Sequence, residues 1–178
     1  MPAVSAEQII QEILNYHCPR YEQLPAIPLY NDQVVEILNQ YTAPLQTGNE
    51  YTITAAMINN YVKQKLIAPP VKKRYNQEQV ARLYCICLLK QVFSISDVGG
   101  LMNIQTQSYP FPQAYNFFCT ELETALQAIF STRDFSAPSS ASHVTPESEL
   151  VRSAALSFAH KLFAAKFLAC YPFQTEKT

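Results

Sequence analysis

Cys85 and Cys87 are the first residues whose type suggests chemistry, because thiolates bind soft metals and react as nucleophiles. Two residues apart on a helix, however, they stand roughly 200° apart and cannot chelate one ion together. Cysteine is also among the most buried residue types, so both are expected in the core. His17 beside Cys18, His143, and His160 beside Lys161 have no partner at ligand spacing. Glu121 and Glu123 fall on different faces of a helix, which leaves a paired-carboxylate acid–base site without support. No Ser-His-Asp or Cys-His arrangement can be read from spacing. The three glycines, Gly48, Gly99 and Gly100, write neither G-x-G-x-x-G nor G-x-x-x-x-G-K, so the common phosphate cradles are disfavoured. No catalytic residue, cofactor or metal ligand is assigned, and the expectation is that the chain is not an enzyme.

What remains is a set of amides and cations between Thr52 and Val98. The spacing predicts a helix from an N-cap at Thr54 to about Leu66, stopped by Pro69-Pro70. On that helix Ala55, Ala56, Asn59, Asn60, Lys63 and Gln64 share a polar half, while Ile58, Tyr61 and Val62 share the other. Small residues permit close approach to a groove. Asn and Gln can pair bidentately with adenine, and Lys neutralises phosphate. Polar helix faces are ordinarily just solvated, so it is the order of elements that carries the reading. The basic run Val71 to Tyr75, preceded by Pro69-Pro70, suits a tight loop or wing, and Asn76 then caps a further helix.

The other elements follow from periodicity and caps. Ser5 to Tyr16 reads as an amphipathic helix, and Cys18 to Leu29, with three prolines, as an extended connection. Asn31 or Asp32 can cap a helix with Val34, Val35, Ile37, Leu38 and Tyr41 on its apolar stripe, and Thr47-Gly48-Asn49 marks a turn. After Asn76 the helical face is Val80, Leu83, Tyr84, Cys87, Leu88 and Val92. Ser94 or Ser96 opens a short helical turn through Leu101, and Asn103 to Pro112 reads as a polar connection. Ala114 to Phe130 is predicted helical, 131–144 a flexible linker, and Thr145-Pro146-Glu147 the start of a helix reaching Cys170.

The Thr52–Val98 run resembles the DNA-binding head of the MerR family of transcriptional regulators. Thr54 stands at that family's capping serine, Ile58-Asn59-Asn60-Tyr61 at its Leu-Arg-Tyr-Tyr, and Leu66-Ile67-Ala68-Pro69 at its Leu-Ile-x-Pro step. Lys73-Arg74-Tyr75 stands at the Arg-x-Tyr closing the wing, and Phe93 to Val98 at the Phe-Ser-Leu-x-x-Ile that opens the next helix. Three departures are visible. Lys65 replaces the glycine before Leu-Leu, Asn59-Asn60 replaces Arg-Tyr, and the wing is several residues short. The same run, with Leu88 to Ser96, is also similar to a bacterial family, domain of unknown function 1836. The resemblance implies an all-α fold. Its parts would be a MerR-like winged helix-turn-helix head with a minimal wing at 30–102, an N-terminal helix and connection at 1–29, and a helical portion at 103–178. It implies a DNA-binding transcription regulator whose duplex contacts come from Thr54, Ala55, Asn59, Asn60, Lys63, Gln64, Lys72, Lys73, Arg74 and Tyr75. The alternative is a protein-interaction module on a scaffold that has lost DNA binding.

Charge supports a polyanionic partner. Residues 1–51 carry a net −5 and residues 91–178 a net −2. Residues 52–90 hold seven basic residues against Glu78 alone, a net +6 hidden within a whole-chain −1. The five cysteines are odd in number and irregularly spaced, which fits a reducing compartment, and MPAVSAEQII has no basic n-region, so a cytoplasmic location is expected. The apolar stretch Ala154 to Tyr171 is broken by His160, Lys161 and Lys166, which argues against a membrane span. A helix so apolar must be buried, either inside the chain or in a homodimer. The aromatic segment 109–118 either anchors a loop on the core or lines a small-molecule pocket.

Overall fold

A computed structural model describes residues 5–47, 52–136 and 138–170. Gly48 and Asn49 of the expected turn lie outside them. Among the described residues the fold is built from seven α-helices and one miniature antiparallel sheet, consistent with the all-α expectation. The elements are α1 (Ala6–Leu14), β1 (Leu29–Tyr30), α2 (Asn31–Thr42), α3 (Ala55–Lys63), β2 (Arg74–Tyr75), α4 (Gln77–Leu89), α5 (Ile95–Ser108), α6 (Phe111–Gln127) and α7 (Pro146–Leu168).

Helix α4 is the axis of the molecule. From Gln79 to Leu89 every side chain is buried except Arg82, because α2, α5, α6 and α7 surround it. Burying a large apolar side chain contributes about 1.5–3 kcal/mol, so this helix holds much of the stability. The tyrosine hydroxyl it carries into the interior is satisfied: the Tyr84 hydroxyl donates to Tyr16, whose own hydroxyl donates to the Tyr41 carbonyl at 3.0 Å. The start of the chain is tied to α6. Arg20 pairs with both Glu123 carboxylate oxygens at 3.1 and 2.6 Å, the Cys18 N–H donates to the same carboxylate at 2.7 Å, and the Tyr115 hydroxyl donates to the Pro19 carbonyl. The Glu123 carboxylate raises the affinity of the Arg20 guanidinium for its proton. One continuous core therefore takes residues from α1 to α7.

Several local expectations need correcting. The N-cap of α2 is Tyr30, not Asn31 or Asp32; its N–H donates to Gln33 Oε1 at 2.9 Å. Helix α3 ends at Lys63 rather than Leu66. The Lys65 N–H reaches Val62 O and the Leu66 N–H reaches Tyr61 O, with Lys65 left-handed at φ 59°, a Schellman cap made without glycine. Helix α5 continues through Asn103 to Ser108, where a polar connection was expected, so the 102/103 division falls inside a helix. The segment near 131–144 is held rather than free. Ser140 N–H donates to buried Glu121 at 2.7 Å, Arg152 donates to Ser136 O, and His160 bonds Phe135 O. Helix α7 lies along α6 and buries Val151, Ala154, Ala155, Phe158 and Leu162, so its apolar stripe is covered within the chain, leaving Leu150 and Leu168 exposed.

Candidate nucleic-acid interface

Helix α3 is oriented by two side-chain amides. Asn39 on α2 clamps the residue before the α3 cap from both sides: its Nδ2 donates to Ile53 O at 2.9 Å and its Oδ1 accepts the Ile53 N–H at 2.8 Å. Thr54 Oγ1 then accepts the Met57 N–H, and Ile58 and Tyr61 enter the core. Thr54, Ala55, Ala56, Asn59, Asn60, Lys63 and Gln64 are consequently exposed along the outer face. Beyond α3, Gln79 performs the second fixation. Its buried amide donates to Ala68 O at 2.8 Å and Pro69 O at 3.3 Å, while its oxygen accepts the Asn76 N–H.

The basic run forms the tightest hairpin the backbone allows. Val71 and Arg74 exchange both backbone hydrogen bonds, and the two residues between them, Lys72 and Lys73, have φ of 49° and 64°. Two positive φ values in a two-residue loop define a type I′ turn, whose preferred sequence is Asn-Gly. Arg74 and Tyr75 continue into β2, which pairs with β1 in the register Leu29↔Tyr75 and Tyr30↔Arg74. Alternation across a strand then separates the last two residues expected at the interface. Arg74 is exposed, whereas Tyr75 is 2% exposed and faces the core, so its ring anchors the hairpin and is removed from the surface set.

Helix and hairpin are joined by a dipeptide that the sequence reading passed over. The Arg74 guanidinium lies 4.7 Å from the Tyr30 ring centroid and donates to its hydroxyl at 2.9 Å. The next residue, Asn31, donates to Asn59 Oδ1 on α3 at 3.1 Å. A continuous line of contacts therefore runs Arg74–Tyr30–Asn31–Asn59. Of the seven cations in the basic segment, Lys63, Lys65, Lys72, Lys73 and Arg74 are exposed, Lys65 beside Gly99 and Gly100 of α5. The other two serve packing. Arg82 pairs with Glu78 and lies over Phe111. Lys90 sits 5.9 Å from the Tyr61 ring centroid, where burial lowers its pKa.

A family model described as Domain of unknown function (DUF1836) matches residues 19–118, more than half of the chain. The chain belongs to this family. No curated protein and no solved structure matches it. The DUF1836 segment begins in the Pro19 connection that docks on α6 and ends at Phe118 within α6. It thus takes in the whole surface from β1 to the hairpin and the helices beneath it.

Elsewhere in this DUF1836 chain four of the five cysteines are buried. Among the described residues no three His, Cys, Asp or Glu side chains converge as a metal set. Burial raises the thiol pKa of Cys85, and that of Cys87 to about 12; Cys18 and Cys119 are also buried. Thiols kept protonated and shielded are inert. In the native protein a thiol reagent at neutral pH should modify Cys170 first, the other four reacting only as fast as the chain unfolds. Early labelling of Cys85 or Cys87, read by mass spectrometry, would contradict this. In the aromatic segment, Phe111, Tyr115 and Phe118 line a small half-open cavity of about 50 Å³, and Tyr21, Phe111, Tyr115 and Tyr84 form a run of ring contacts. That is an anchor on the core. Tyr109 and Phe117 instead border an open cleft of about 430 Å³ against the 140–145 segment. No helix among the described residues is long and apolar enough to cross a membrane.

Proposed function

We propose that this chain is a sequence-specific DNA-binding transcription regulator with a MerR-like winged helix-turn-helix head. The observation that carries the reading is the line Arg74–Tyr30–Asn31–Asn59, which holds the amide face of α3 and the cationic hairpin beside one another on one exposed surface. On this reading α3 enters the major groove. Asn59, Asn60 and Gln64 read base edges, Thr54 and Ala55 allow close approach, and Lys63, Lys65, Lys72, Lys73 and Arg74 neutralise phosphates. The hairpin is the minimal wing, fixed by β1 and by Gln79. The connection from α2 to α3, residues 43–54, is longer than a three- or four-residue turn, and the Asn39 clamp does the work that a short turn does elsewhere. Burial alone does not call for a dimer, since α6 covers the apolar stripe of α7; pairing of two copies would be a matter of operator symmetry.

A gel-shift series on random and selected duplexes, run at several salt concentrations, tests the proposal. Affinity should fall steeply with salt. Asn59→Ala should change base preference by about 1–3 kcal/mol at one position while leaving the salt dependence intact. A second reading, a protein-interaction module, is favoured by one feature. Ile27 and Val71, each 74% exposed, flank the hairpin as bare apolar groups. Absence of salt-sensitive duplex binding by the wild-type chain would overturn the DNA reading in favour of this one.

A further inference from the structure

Resting on the DNA-binding reading, we propose that Asn31 is a specificity-determining residue that sets the orientation in which Asn59 meets a base. Asn31 is the first residue of α2, one position after the Tyr30 N-cap. Its side chain makes no bond to the backbone of the helix start, where the Tyr30 N–H is taken by Gln33. Its Nδ2 instead spans 28 positions of sequence to donate to Asn59 Oδ1. Its own Oδ1 is sealed from solvent and has no hydrogen-bond partner among the described residues. A buried acceptor left unmet is unfavourable for the folded state. The one hydrogen bond it makes joins α2 to α3 at the interface.

The consequence for Asn59 is a choice between two states. A carboxamide can rotate by half a turn and exchange its oxygen and nitrogen. With Asn31 Nδ2 facing it, the rotamer that offers oxygen is favoured: turning Asn59 alone sets two N–H donors against each other, and turning both amides buries the two donors of the Asn31 NH2 where one acceptor is buried now. The oxygen keeps a second lone pair, and Asn59 Nδ2 remains free to donate. Adenine presents an N6–H donor and an N7 acceptor side by side in the major groove, so it needs an oxygen and an N–H in one fixed order. Asn31 supplies that order before the duplex arrives, which removes an orientational cost from binding. Its neighbour Tyr30 carries the hairpin cation Arg74, so the same dipeptide sets the spacing between the reading helix and the hairpin.

The test compares Asn31→Ala, Asn31→Asp, Asn59→Ala and the double variant Asn31→Ala/Asn59→Ala. For each, base preference is measured by selection from random duplex, together with the salt dependence of binding and the thermal midpoint. Asp keeps the shape of Asn31 but cannot donate. Its charge weakens binding to every duplex alike, so the preference ratio remains the readout, and it serves if the Ala variant folds poorly. Both Asn31 variants should keep the wild-type midpoint or exceed it, and Asn31→Ala should keep the salt slope. The preference at the base read by Asn59 should fall at least about threefold, part of the roughly tenfold or more that a bidentate amide–adenine pair supplies. The double variant should lose no more preference than Asn59→Ala alone. Unchanged preference in both Asn31 variants, or additive losses in the double variant, overturns the assignment while DNA binding itself stands. A lowered midpoint with equal loss on all duplexes overturns it in favour of a structural role. Failure of the wild type to bind any duplex removes the base-reading function and this inference with it.

Discussion

Replacing Lys72 and Lys73 by Asn and Gly should make the protein more stable and, on the proposed reading, a poorer binder of DNA. The two lysines hold left-handed backbone in a type I′ turn, where an L side chain costs about 1–2 kcal/mol per residue and Asn-Gly is the relaxed sequence. Relief of part of that strain should gain about 1–2 kcal/mol in total, a rise of about 3–6 °C in Tm for a chain of this size. The same change removes two exposed cations. The slope of log affinity against log salt should fall by about two, and affinity at moderate salt by about tenfold to a hundredfold for every duplex. Lys72→Ala/Lys73→Ala separates the two effects, since it loses the cations but keeps the strained backbone; it should lose affinity without the gain in Tm. Extending the substitution to Arg74→Ala should lower the slope by about three and loosen the hairpin too, because Arg74 also holds Tyr30. Undiminished affinity in the Asn-Gly variant would show that the tip touches no phosphate, and an unchanged Tm that the turn stores no strain. Opposite signs in one variant are the signature of a residue kept for what it binds rather than for the fold.

The elements legible in the sequence were those announced by local chemistry. Ser5, Thr54, Asn76, Ser94 and Thr145 each cap a helix as their type predicts, and the Pro146-Glu147 start of α7 lies where the helical pattern begins. The misses have tertiary causes. The short helical turn expected to Leu101 runs on to Ser108 as α5, and Gly99 within it is a packing point: a Cβ there would meet Leu66 at 2.9 Å. Lys65 takes a conformation that glycine prefers, and no residue type signals that. The Ser- and Ala-rich run after α6 has the composition of a linker, but its backbone and side chains are hydrogen-bonded to Glu121, Arg152 and His160, contacts made across 16 to 25 positions. Of the interface, the amides and cations were readable from helical spacing. The burial of Tyr75 was readable too, since strand alternation puts it opposite Arg74. The Tyr30-Asn31 bridge was not, because its partners lie 44 and 28 residues away.

Asn39→Ala should cost about 2–4 kcal/mol of stability, the largest loss expected from a single polar substitution near the interface. Ile53 is 1% exposed, so removing the amide leaves both its N–H and its C=O buried without the partners they now have. A drop of roughly 5–10 °C in Tm follows for a chain of this length. The functional loss should be selective when binding is measured well below that midpoint. The α3 face would lose its fixed attitude, whereas the hairpin, held by β1, Gln79 and buried Tyr75, would keep its own. Discrimination between selected and random duplex should therefore collapse while the salt-dependent affinity for random duplex persists. Asn39→Asp provides the graded control: it can still accept the Ile53 N–H but cannot donate to the Ile53 carbonyl, and should fall between Ala and wild type in both stability and discrimination. A wild-type midpoint for Asn39→Ala would mean that α3 is positioned by its buried face alone. Equal losses on selected and random duplex would mean that helix and hairpin move as one body, so that the clamp sets affinity rather than reading.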